Sequence, residues 1–150
     1  MKAIGIIWNM GEQFFTDILN DINSIQNISY IKKYELKDEY KNFVLDCYFG
    51  DSEAFLEGYI YEKINSMKLN TNTTITIFEI VITNPSFKIN PETNIKQCVE
   101  TKFIKQKIRE KYSNKINGYF FDNLIHITDN EDEYNNMQRI LPKYDRYIVI

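Results

Sequence analysis

Histidine is almost missing from this chain of 150 residues: one imidazole, His126, is all it has. Cysteine is nearly as scarce. Cys47 and Cys98, without a second histidine, are too few to make a zinc site, so no structural metal is expected. No apolar run approaches membrane-span length and the N-terminus carries no leader-like pattern, so a cytoplasmic protein with no membrane partner is expected. A basic excess is also lacking. Lys and Arg number 18 against 21 Asp and Glu, a formal charge of −3, which argues against a dedicated nucleic-acid binder. The densest basic stretch, Lys102 to Lys115, reads as the solvated face of a helix. No repeat, low-complexity tract or linker interrupts residues 1–150, so one α/β domain with room for a sizeable core is expected.

What is present is an alternation of strand and helix patterns. Ala3 to Trp8 reads as a buried strand ended by Asn9-Met10-Gly11. Phe14, Phe15, Ile18, Leu19, Ile22 and Ile25 make one helical face. Ile28 to Leu36 reads as a second strand. Helical spacing returns at Tyr40, Phe43, Val44, Cys47 and Tyr48, and again from Phe55 through Tyr59, Ile60 and Ile64 to Met67. Ile75 to Ile82 is the clearest strand, dominated by β-branched residues and apolar on both faces. Asn90 and Pro91 suit the cap and first position of a helix carrying Ile95, Cys98, Ile104, Ile108 and Tyr112. Tyr119 to Thr128 reads as the strand that holds His126. Asn130 and Glu133 suit a capping box for a last helix with Tyr134, Met137 and Ile140. Tyr147 to Ile150 reads as a terminal strand, or as an arm that docks on a partner.

His126 stands where the apolar run Leu124, Ile125, Ile127 meets the capping oxygens of Thr128, Asp129 and Asn130. A single imidazole at a strand end, beside the N–H groups of a helix start that welcome a phosphate, is an arrangement for chemistry near neutral pH. A hydrogen-bonded structural histidine is the competing reading.

The segment Asn123-Leu124-Ile125-His126-Ile127-Thr128-Asp129 resembles the signature of the nucleoside diphosphate kinases: asparagine, two residues, histidine, a small residue, serine, aspartate. Ile108-Arg109 is similar to the family's isoleucine–arginine pair upstream. Tyr48, ending a short helix, followed by Phe55, resembles a family tyrosine before an aromatic-led helix. The resemblance implies a ferredoxin-like fold, an α+β domain with a mainly antiparallel four-stranded sheet covered by helices. The alternative is a doubly wound parallel sheet, which would need a helical crossover between every strand pair. It further implies His126 as phosphoryl carrier, with Asn123 at the ribose or a bridging oxygen and Arg109 on phosphate oxygens. Thr128 would bond near the phosphate and Asp129 would fix a loop, while Tyr48 and Phe55 would stack on a base. Each has a plainer reading: core aromatics, helix caps, a turn asparagine, a solvated arginine.

The sequence departs from the family at several points. The first strand ends Ile7-Trp8-Asn9, where the family places a phosphate-contacting lysine. Ile127 replaces the small residue after the histidine. Met137 stands eleven residues on, near where a family glutamate orients the imidazole; Glu131 and Glu133 are the nearby acids. Thr83-Asn84-Pro85 matches a family tripeptide but directly follows the third strand, too early by one helix. The implied activity is nucleotide-dependent phosphotransfer through His126, with Mg²⁺ accompanying a nucleoside triphosphate and the acids of Asn130 to Glu133 as its nearest carboxylates. The alternative is a non-catalytic nucleotide-binding, regulatory or interaction module on the same fold. Relatives of this type assemble, and the apolar tail is costly to leave in water, so a homo-oligomer is expected.

Overall fold

The first strand, β1 (Lys2–Ile7), is buried along all but its first residue because it is flanked on both sides. It pairs antiparallel with β3 (Thr74–Val81) and with β6 (Ile125–Ile127), and β2 (Asn27–Glu35) pairs antiparallel with the outer side of β3. The order is therefore β2-β3-β1-β6, an antiparallel four-stranded sheet of ferredoxin-like topology. In this computed structural model residues 1–49, 57–67, 73–119 and 123–149 are described. The central strands read as continuous apolar runs because helices cover both of their faces.

Ala3, Ile7, Phe78, Ile80, Ile125 and Ile127 face α1 (Phe15–Asn23) and α4 (Val99–Tyr112), where Ile18, Ile22, Ile104 and Ile108 meet them. Ile4, Ile6, Trp8, Ile75 and Ile77 face the other way, toward α2 (Tyr40–Phe49), α3 (Glu57–Ser66) and α5 (Glu131–Ile140). Each fully buried Ile or Phe contributes roughly 1.5–3 kcal/mol. Gly5 lies opposite Phe78 in the β1–β3 register. A Cβ on Gly5 would come within 2.0 Å of the Phe78 ring, so the glycine is what lets that ring lie across the sheet.

His126 is opposite Ile6 in the β1–β6 register, which puts its side chain on the α2, α3 and α5 side. Because β6 is an edge strand, the carbonyls of Ile125 and Ile127 point away from β1. Two cations of α4 satisfy them: Lys105 Nζ donates to Ile127 O at 3.1 Å and Arg109 Nη2 to Ile125 O at 3.1 Å. Four helical residues rise about 6 Å and two strand residues about 6.6 Å, so the spacings match. The edge is thereby covered, and positive charge is gathered beside the histidine.

Two sequence expectations are corrected. Asn90 and Pro91 do not start the long helix. Asn90 Oδ1 accepts from Glu92 N at 2.9 Å, as a cap would, but the chain turns back through Asn94 at φ 57° and Asn90 N donates to Ile95 O. Lys96–Cys98 is strand β5, paired with β4 (Phe87–Ile89), and α4 begins only at Val99. The His126 strand is shorter than Tyr119–Thr128, although Thr128 N still donates to Ile4 O at 3.0 Å. Of the two readings of the C-terminus, the strand-like one matches the structure: Ile148 bridges to Tyr34, and Val149 N donates to Lys33 O at 2.9 Å. The sheet edge that the arm needs is β2 itself. Asn130 caps α5, its Oδ1 accepting from Glu133 N at 2.9 Å, and the two side chains also bond, with Asn130 Nδ2 donating to Glu133 Oε2 at 2.8 Å.

Candidate functional site

A cleft of about 170 Å³ opens over β6, lined by Tyr48, Lys63, Lys102, Lys105, Arg109, His126, Asp129 and Glu133, with amides of Asn90, Gln97 and Gln106 at its rim. His126 is 9 % exposed there. Burial first, then the charges of Lys105, Lys63 and Arg109, hold its imidazole well below the ordinary histidine value. All four effects disfavour the protonated ring, so at neutral pH the imidazole is uncharged.

Tyr48, at the end of α2, is buried and stands edge-on to the imidazole, with ring centroids 5.4 Å apart. Its other neighbour is Trp8, stacked at 6.2 Å. The Tyr48 phenol oxygen accepts from Lys63 Nζ, and that ammonium lies 4.4 Å from the Tyr48 ring centroid. Tyr48 therefore packs around the histidine rather than presenting a flat face to solvent. Phe55 lies outside the described residues.

Arg109 lines the cleft, its Nη2 donating to Ile125 O. Asp129 lines it too, but its carboxylate accepts from Lys105 Nζ at 2.7 and 2.8 Å and from Thr101 Oγ1 at 2.8 Å. Both partners of that ion pair are over nine-tenths buried. Thr128 is buried with its Oγ1 accepting from Ile4 N at 3.0 Å, so the hydroxyl ties β6 to β1. Asn123 is fully buried. Its Nδ2 donates to Ser66 Oγ and Gly118 O, which secures the approach to β6 against the end of α3. It is not among the described residues lining the cleft.

Lys63, Lys105 and Glu133 complete the site; Lys105, inside the stretch expected to be a solvated helix face, is instead buried in its ion pair with Asp129. Glu133, rather than Glu131, lines the histidine's cleft. The signal for Lys63 was a lysine inside the apolar stripe of Ile60, Ile64 and Met67. The signal for Lys105 was its place one turn before Arg109. A larger cleft, about 1030 Å³, lies between Met1, Lys2, Phe87, Lys96 and the start of α5. His126 is not part of its lining, so the chemistry is assigned to the smaller cleft. Among the described residues no group of three or more His, Cys, Asp or Glu side chains is placed to hold a metal ion.

No family model matches the chain, and no curated protein matches it. Among solved structures it is similar to a nucleoside-diphosphate kinase from Borrelia burgdorferi, a transition-state mimic with bound vanadate and ADP. The TM-score is 0.53 at 17 % identity, over 100 % of this chain and 90 % of that one. With the antiparallel order β2-β3-β1-β6, this chain has the fold of a nucleoside-diphosphate kinase at a divergent sequence distance.

Proposed function

We propose that the chain is a nucleotide-dependent phosphotransferase that carries the phosphoryl group on His126. One observation supports this most: the only imidazole is held neutral in a cleft whose walls bring Lys63, Lys105 and Arg109 to it. Phosphoryl transfer asks for positioning and charge neutralisation more than covalent ingenuity, and this lining offers both. In the first half-reaction an imidazole nitrogen bonds to the γ-phosphorus. The bond to the β,γ-bridging oxygen breaks, and the nucleoside diphosphate leaves with that electron pair. An acceptor oxygen, on a second nucleotide or a nucleotide-linked metabolite, then takes the phosphoryl group and restores the imidazole. Arg109 has the planar fork that suits phosphate oxygens, and its bond to Ile125 O fixes its direction. Mg²⁺ in this reading comes with the triphosphate, and no step is assigned to it.

A second reading, a nucleotide-binding module without transfer, has its own observation. The cleft is smaller than the roughly 300–1,000 Å³ usual for ligand sites, and Asn123 Nδ2 and Thr128 Oγ1 bond to the protein's own backbone and side chains. Incubation with γ-labelled ATP separates the two. Acid-labile, base-stable label on wild type, lost in His126→Asn, is the expected result. Nucleotide binding with no label on the wild-type chain would leave the module reading in its place.

A further inference from the structure

The first strand ends on Trp8, and no lysine of β1 reaches the histidine cleft; the only lysine in that strand, Lys2, lines the other, larger cleft. Among the described residues, Lys63, Lys102 and Lys105 line the cleft. They are not equivalent. The Lys105 ammonium donates to both oxygens of Asp129 and to Ile127 O, which accounts for all three of its N–H groups. A ligand would have to break the buried pair to engage it. Lys102 is an exposed side chain at the rim. Lys63 is 1 % exposed, carried inward by the α3 stripe of Ile60 and Ile64.

Its ammonium is steered by aromatic rings. Nζ lies 4.4 Å from the Tyr48 ring centroid and 5.7 Å from that of Trp8, and it donates to the Tyr48 phenol. Trp8 thus has a use at the strand end: it stacks on Tyr48 and offers a second π-face to the cation. The same Tyr48 ring borders His126, so the ammonium and the imidazole share one wall of the cleft. A phosphate oxygen is a stronger acceptor for an ammonium than a neutral phenol.

We infer that Lys63, on α3, is the phosphate-binding ammonium of this cleft, moved there from the strand end that Trp8 occupies. The ligand class is a nucleoside di- or triphosphate, recognised at this point through its phosphates alone. The inference rests on the reading of the cleft as a nucleotide site, and its test separates the two.

Titration calorimetry of the full chain with ADP, adenosine and inorganic pyrophosphate, on wild type and Lys63→Gln, reads it directly. Expected is a loss of ten-fold or more in affinity for ADP and pyrophosphate in the variant, with adenosine unchanged. An ADP affinity within three-fold of wild type, or an equal fall for adenosine, overturns the role of Lys63 while the nucleotide reading stands. Wild type that binds pyrophosphate but not ADP ends the nucleotide reading, and Lys63 is then judged on pyrophosphate alone. Wild type that binds neither overturns both. Should Lys63→Gln fail to fold, the measurement moves to wild type. The Lys63 Cε–Hε resonances are expected to shift with those of His126 during the ADP titration, and a shift at His126 without one at Lys63 overturns the inference.

Discussion

The Tyr48 ring meets the His126 imidazole edge-on, with centroids 5.4 Å apart and planes inclined at 62°. One side chain thereby links the histidine to Lys63, through the phenol oxygen, and to Trp8, through its stacked face. Tyr48→Phe keeps the ring and removes one acceptor from a buried ammonium. A hydrogen bond to a charged group is worth about 1.5–3 kcal/mol, and a stability loss in that range is expected from denaturant unfolding. A loss under a few tenths of a kcal/mol would show that the phenol oxygen contributes nothing to holding Lys63.

The depressed His126 basicity predicts a pH dependence of stability. The folded chain holds the ring below its ordinary 6.5, through burial and the charges of Lys105, Lys63 and Arg109, whereas the unfolded chain leaves it there. Between the two values the unfolded state binds more protons, so stability rises with pH up to about 6.5 and falls as pH drops below it. Urea midpoints at pH 5 and pH 7 should differ more for wild type than for His126→Gln. Equal differences would locate the acid sensitivity elsewhere.

Gly5 and Phe78 predict a steric effect. Because a Cβ on Gly5 would overlap the Phe78 ring, Gly5→Ala should cost at least the usual overpacking penalty of about 1–3 kcal/mol. Phe78→Leu in the same chain should recover part of that loss, and a double-mutant cycle measures the coupling. Additive losses would mean that the ring moves aside without strain.

The ion pair between Lys105 and Asp129 has both side chains over nine-tenths buried. Removing one partner leaves a buried charge, at a cost of about 3–5 kcal/mol. Asp129→Leu and Lys105→Met should each approach that cost, while the double variant loses less than the sum. Thermal unfolding of the three variants checks this. An additive double variant would show that each charge is compensated by other groups.

How far the sequence carried the fold depended on which force set each element. β1 and β3 were legible because their apolar content is local and their burial follows from it, and β2, mostly exposed, through its β-favouring alternation. The hairpin of β4 and β5 was not: Asn90 and Pro91 carry helix-start chemistry, and only the Asn94 turn and pairing with Phe87 to Ile89 override it. His126 and Arg109 could be found because they sit in a recognisable segment. For Lys63 the apolar stripe signals burial only; its place beside His126 depends on α3 crossing near Trp8, a long-range contact that no spacing encodes. Asn123 and Thr128 were read as ligand contacts from type and position; their bonds to Ser66, Gly118 and Ile4 are set by the packing of β6.

Arg109 supplies the last prediction, because its anchor and its function pull on different atoms. Nη2 donates to Ile125 O and so belongs partly to the fold, while a guanidinium fork aimed at phosphate belongs to the cleft. Arg109→Lys keeps one charge but loses the planar fork, and a carbonyl anchor needs only a single donor. The structural role alone predicts that Arg109→Lys has wild-type stability and wild-type phosphate affinity. A role in holding phosphate predicts wild-type stability with a clear fall in triphosphate affinity, of about ten-fold for the loss of one bidentate contact, or ~1.4 kcal/mol. Arg109→Ala should lower both, because Ile125 O then faces the open edge of β6 without a donor. Unfolding curves and ATP titrations on the two variants read the split, and a lysine variant that binds ATP like wild type would confine Arg109 to covering the strand edge.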